Sequence, residues 1–306
     1  MKTAKFSKLE RRVGHIASRQ ARRQLMQVPW DRFRKAYDEY LRWQAFVLWA
    51  RAILELEGSA PSWLEAILRK RCPGFMEEVA RSNKPKLLGL ALLSWVHNRA
   101  FGFAKEEGWL DVLVFYGFRD ARSQGYWTYW EHRNNEWRKR RPASFPTLVQ
   151  WRRSALNWKL QGDVSCAAVA KAVEKYLDFE AFVYWLRPLF QTSKSQLPTH
   201  IALELEQECP GLFEFASREI AAAYEHKSKS WQRLFNWGRD HILSRANKEG
   251  WLDCVLRQVR IHPRHVRTMV YAAFWHRSRT DNPVSPHPSF GEWRRDSESY
   301  VRTNRK

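Results

Sequence analysis

Two stretches, DEYLRWQAFVLW (38–49) and EKYLDFEAFVYW (174–185), are identical at six of twelve positions. A repeat at this separation decides the architecture, because a chain that carries one unit twice builds one fold twice. Working outward, APSWLEAILRKRCPGF aligns with LPTHIALELEQECPGLF, which sets Pro61 on Pro198 and Cys72 on Cys209. SWVHNRAFGFAKEEGWLDVL from Ser94 aligns without gaps on NWGRDHILSRANKEGWLDCV from Asn236. Further along, His132 and Arg133 fall on His276 and Arg277, and Trp151-Arg152-Arg153 falls on Trp293-Arg294-Arg295. The pairs Trp49/Trp185, Trp95/Trp237, Trp109/Trp251 and Trp151/Trp293 coincide. The sequence reads as a tandem duplication.

Each unit reads as helical. Over 31–57, Phe33, Tyr37, Tyr40, Leu41, Ala45, Leu48, Trp49 and Ala52 recur at helical spacing while the charges fall between them. Pro61-Ser62 and Pro198-Thr199 place a hydroxyl cap beside a proline, a usual helix start. Cys-Pro-Gly at 72–74 and 209–211 stops those helices, since proline cannot continue the ladder and glycine accepts the turn. Gly108 and Gly250 follow Lys/Glu-rich stretches as C-caps. VLVFYGF (112–118) is rich in strand formers, which leaves room for one short strand per unit. The expected fold is all-α: a basic arm over 1–30, one helical bundle over 31–153 and a second over 154–306 that ends in a basic tail.

Composition narrows the function. The 306 residues are 44% hydrophobic and 14% aromatic, with 17 Trp, ample for buried cores. Net charge is +21 and pI about 10.1, which predicts attraction to polyanions, nucleic acid before membrane. The longest apolar run, 87–96, is far short of a membrane span, and the basic N-terminus has no apolar signal core. Cys72, Cys166, Cys209 and Cys254 lie far apart with no CxxC pair, as expected of reduced thiols in the cytoplasm.

The charge is segregated. Segments 11–30, 137–162 and 254–280 hold no Asp or Glu and together carry 18 of the 53 Lys and Arg; elsewhere 35 basic groups face 32 acidic ones. A surface built only for solubility would intersperse the signs, so these segments read as a nucleic-acid footprint, DNA or RNA. Its candidate contacts are Arg11, Arg12, Arg22 and Arg23 in the arm, and Arg138, Lys139, Arg140, Arg141, Arg152 and Arg153 in the second segment. Arg257, Arg260, Arg264, Arg267 and Arg277 follow in the third, with Arg294 and Arg295 repeating the Trp-Arg-Arg element. Guanidinium forks bind phosphate and stack on bases, and Trp151 and Trp158 are interleaved to do the same. Because WRKRR falls opposite the neutral SRTDNPV, the expected result is similar cores with different surfaces, and a basic groove where the units meet near 138–153.

Catalytic signatures are sparse. GxxxxGK[ST], GxGxxG, HExxH and GxSxG do not occur, no metal cluster is spaced for ligation, and no cofactor is expected. The paired His132 and His276 read as packing residues. Arg257…His262 and Arg260…His265 match the spacing seen in HEPN-type ribonucleases, but Pro263 breaks the helix they would need and neither match recurs in the first unit. The leading expectation is a non-enzymatic nucleic-acid-binding protein, an accessory subunit of a nucleoprotein complex such as a bacterial mobile-element or defence system. The alternative is a scaffold for an acidic protein partner, which requires a large exposed hydrophobic patch.

Overall fold

The computed structural model describes residues 18–81, 88–192, 230–261, 270–274 and 288–300, with parts of 203–218. The fold is all-α, relieved among the described residues by one hairpin of β1 (Lys159–Gln161) and β2 (Val164–Ser165). The chain divides into unit 1, residues 1–25 and 32–170, and unit 2, residues 26–31 and 171–306. Segment 137–162, expected where the units meet, therefore belongs entirely to unit 1. So does α1 (Ser18–Leu25), which was read as part of a separate arm and packs on α7 (Leu110–Arg119).

Unit 1 is organised around α2 (Trp30–Glu57), a 28-residue helix. Its sequence suggests one apolar stripe, but every residue from Gln44 to Leu54 is buried, so the middle of α2 is the core. Burying Arg51 requires a counter-charge, and Glu55 one turn on supplies it at 2.6 Å while the guanidinium lies 4.3 Å above the Trp130 ring. Around α2 stand α3 (Ser62–Arg71), α4 (Phe75–Arg81), α5 (Leu88–Arg99), α6 (Gly102–Glu106), α7, α8 (Ala121–Lys139) and α9 (Leu148–Leu156).

Two local readings are corrected. The strand formers of 112–118 lie within α7, and its aligned partner CVLRQVRI lies within α13 (Leu252–Ile261). Val112 to Gly117 are all buried, and burial on every side outweighs a β preference of about 1 kcal/mol. At α3 the N-cap is Pro61 and no side chain caps it; Ser62 is already helical. The cap at α8 is stronger. Asp120 is 1% exposed and accepts hydrogen bonds from Arg122 N at 2.7 Å and the Tyr37 hydroxyl at 2.6 Å.

Unit 2 holds α10 (Cys166–Thr192) from residue 171 onward, then α11 (Ser230–His241), α12 (Ser244–Lys248), α13 and α14 (Phe290–Glu298). Aligned segments take matching local structure. Gly108 and Gly250 sit at φ +78° and +76°, the left-handed conformation that glycine adopts freely. Trp109 N and Trp251 N reach back to Ala104 O and Ala246 O at 2.9 Å in each case. Their indoles donate to Glu107 and Glu249 at 3.0 and 2.9 Å. The boxes Thr147/Gln150 and Ser289/Glu292 cap α9 and α14 identically.

His97 on α5 is 3% exposed, with Nε2 3.2 Å from the Tyr40 hydroxyl, and burial lowers its pKa from 6.5 to about 4. A core that holds this imidazole neutral loses stability as the unfolded chain takes up a proton. Stability should therefore fall between pH 6.5 and about 4, by about 3 kcal/mol in all, and His97 should contribute no further change below that window. Urea denaturation of the native chain and of His97→Gln across this range checks it: the difference in stability between the two should narrow by that amount as pH falls.

Candidate nucleic-acid interface

The basic run that ends α8 is divided by its partners. Glu55 receives Arg138 Nη2 at 3.2 Å and the buried Asn134 Nδ2 at 3.0 Å, besides Arg51. Glu57 receives Arg141 Nη2 at 2.6 Å. Arg138 and Arg141 thus lace α8 to the C-terminal turns of α2, although their side chains are still 59% and 68% exposed. Between them Lys139 and Arg140 are exposed, and among the described residues no carboxylate pairs with either. On α9, Arg152 and Arg153 are exposed, and Arg152 reaches the Tyr126 hydroxyl.

The indoles expected to stack on bases do not all face solvent. Trp151 is wholly buried against Tyr126 and Tyr129, and Trp158 is half-buried against Tyr129 and His132. His132 does not pack in the core as expected; it is exposed and pairs with Glu136 at 3.1 Å. In unit 2, Arg294 is half-buried between Asp178 at 2.9 Å and Glu298 at 3.1 Å, which sets it in the frame, while Arg295 and Arg257 are exposed. Arg11, Arg12, Arg264, Arg267, Arg277, His262, His265 and His276 lie outside the described residues, as do the side chains of Arg22 and Arg260.

A second feature lies beside the α8 run. Trp49 is buried, and its indole donates to Pro146 O at 2.8 Å, which holds segment 143–148 against α2 and α3. The result is a cleft of about 750 Å³ lined by Trp49, Trp63, Ile67, Lys70, Arg71 and the 143–148 wall. Trp63 is 42% exposed, the one exposed tryptophan among the described residues. Its ring lies 5.9 Å from Trp49 and 6.3 Å from Phe145, and Phe145 in turn lies 5.5 Å from Trp137, the residue before Arg138. Arg69 is neutralised by Glu65 and Glu77 at 2.8 and 2.9 Å. Lys70 and Arg71 are exposed without an acidic partner, Arg71 lying 5.1 Å from the Phe46 ring. An adjoining cleft of about 460 Å³ shares Arg71 and is lined by Lys35, Arg42, Asp38 and Glu39 as well, so its three cations are largely offset by two carboxylates.

No acid-free run marks Lys70, Arg71 and Trp63, because Glu65, Glu77 and Glu78 surround them in the chain. The legible signal was in the alignment: Trp63, Lys70 and Arg71 fall on His200, Gln207 and Glu208. The frame itself is kept, since Trp185 donates to Pro288 O at 3.0 Å in unit 2.

Other chemistry finds little support. All four cysteines are free and buried, and desolvation pushes Cys72 and Cys166 up to about 12, which leaves inert thiols. Among the described residues no cluster of three potential metal ligands occurs, and no described helix is long and apolar enough to cross a membrane. No family model, no curated protein and no solved structure matches the chain.

The division of the α8 run has a measurable consequence. Reversing Arg138 and Arg141 to Glu sets new carboxylates against Glu55 and Glu57 and should cost about 1–2 kcal/mol of stability, twice the value of an exposed pair. Reversing Lys139 and Arg140 should change stability by less than about 0.5 kcal/mol. Equal urea midpoints for the two double variants would show that the lacing contributes nothing.

Proposed function

We propose that the protein is a non-enzymatic nucleic-acid-binding protein, acting as a subunit of a larger nucleoprotein assembly. The observation that carries this reading is the set of exposed cations on unit 1 with no carboxylate partner among the described residues: Lys70, Arg71, Lys139, Arg140 and Arg153, and beyond them Arg23, Lys35, Arg42, Arg81, Arg99, Lys105 and Arg152. A charge serving stability or solubility is usually balanced by an opposite neighbour, as Arg69 and Arg294 are here. Unbalanced cations beside aromatic rings suit phosphates and bases together. The scaffold alternative required surplus aromatics at the surface, and among the described tryptophans only Trp63 is exposed. The other described indoles are buried or half-buried.

Binding of this kind releases condensed counterions, so affinity should fall steeply with salt. For four or five phosphates neutralised on a single strand, the slope of log K against log salt should be roughly −3. Fluorescence anisotropy with labelled DNA and RNA oligonucleotides, single- and double-stranded, over 50–300 mM salt (roughly the range that resolves such slopes) measures it. A slope near zero, or no binding at the lowest salt, overturns the proposal.

A further inference from the structure

Resting on the nucleic-acid reading, we propose that the Trp63 cleft receives one unstacked base of a single strand, with the neighbouring backbone phosphates held by Lys70 and Arg71. A duplex presents only base edges in its grooves, whereas a single strand offers a π face at every nucleotide. Trp63 is the exposed ring of the cleft: 42% of the residue is open to solvent, while Trp49 and Phe145 are tilted against it at 53° and 38°. The cleft volume of about 750 Å³ lies in the range of small-ligand sites, ample for a base and its sugar. Lys70 and Arg71 stand two turns along α3, on the order of 10 Å up the axis from Trp63. They therefore meet the backbone beside the stacked base and not the base itself.

These three residues are particular to unit 1 in the alignment. The aligned segment of unit 2 carries His200, Gln207 and Glu208 in their places, and Trp185 still bonds Pro288 there. An exposed indole and two cations with no carboxylate partner among the described residues, none of them present in the aligned segment, suit a ligand that is both aromatic and anionic. On this account unit 2 has the frame without the binding face, and base recognition belongs to unit 1 alone.

The test uses the full chain and two labelled probes of equal length, a polydeoxythymidylate 12-mer and its abasic counterpart, which keeps the phosphates and lacks the bases. The native protein should bind the thymidylate about tenfold more tightly, within what one stacked base contributes. Trp63→Ala should abolish that preference and leave abasic binding unchanged, while Trp63→Tyr restores most of it. Lys70→Glu with Arg71→Glu should weaken both probes alike. Circular dichroism melts establish that each variant is folded. If both probes bind the native chain equally, the base site is wrong and the nucleic-acid reading survives as phosphate contact alone. If Trp63→Tyr behaves as Trp63→Ala while folded, stacking is likewise refuted. If neither probe binds at low salt, the nucleic-acid reading falls and the base site with it. Saturable binding of free thymidine monophosphate as tight as that of the 12-mer would make the cleft a mononucleotide site and overturn the proposal.

Discussion

A buried indole has one polar atom, and leaving that N–H unpaired, as at Trp130 and Trp151, costs about 1–3 kcal/mol. Trp49 finds its acceptor in the Pro146 carbonyl at 2.8 Å. Pro146 immediately precedes the N-cap Thr147, so its carbonyl lies outside the helical ladder and is free to accept. One bond therefore joins the central helix to the start of α9, and it sets segment 143–148 as the wall of a cleft rather than a loose connection. Phe145 is carried into place against Trp63 and Trp137 by the same constraint. Trp185 and Pro288 make the equivalent bond in unit 2, followed there too by a capping box. The indole bond and the capping box occur in both units, while the residues around them differ.

That difference lies in charge. Cations on unit 1 fall into two groups. Arg51, Arg69, Arg122, Arg138 and Arg141 each face a carboxylate, and Arg122 is held far above the usual guanidinium range by Asp120, despite burial that opposes it. These residues hold helices together. The second group has no such partner among the described residues; it includes Lys70, Arg71, Lys139, Arg140 and Arg153, together with Arg23, Lys35, Arg42, Arg81, Arg99, Lys105 and Arg152. Pairing, more than abundance, separates the structural arginines from those available to a ligand. Long-range repulsion among unpaired cations costs little at physiological salt, where the screening length is about 8 Å, so a fold can carry them for function.

Much of the helical plan was legible in the sequence because its signals are local. The apolar spacing of 31–57, the Cys-Pro-Gly stops and the C-caps at Gly108 and Gly250 each depend on a few neighbouring residues. The readings that failed depend on distant ones. VLVFYGF looks like a strand until its burial on all sides is known, and Trp151 looks like a stacking indole until Tyr126 and Tyr129 close over it. Arg138 and Arg141 sat in an acid-free run, yet Glu55 and Glu57, some 83 residues away, neutralise them. The cleft was hidden for the same reason: Trp63 and Phe145 meet only in three dimensions. A linear charge map finds where cations are and not which of them are already engaged.

The central claim is spatial, that nucleic acid meets unit 1 at the cleft between α3 and segment 143–148. Ultraviolet crosslinking of the full chain to a 4-thiothymidine oligonucleotide, followed by peptide mapping, locates the contact directly. The account predicts adducts in peptides spanning 61–71 and 143–148, with Trp63 the principal site and a lesser yield at Lys139 and Arg140. Adducts confined to unit 2, or spread evenly over every basic peptide, would contradict it.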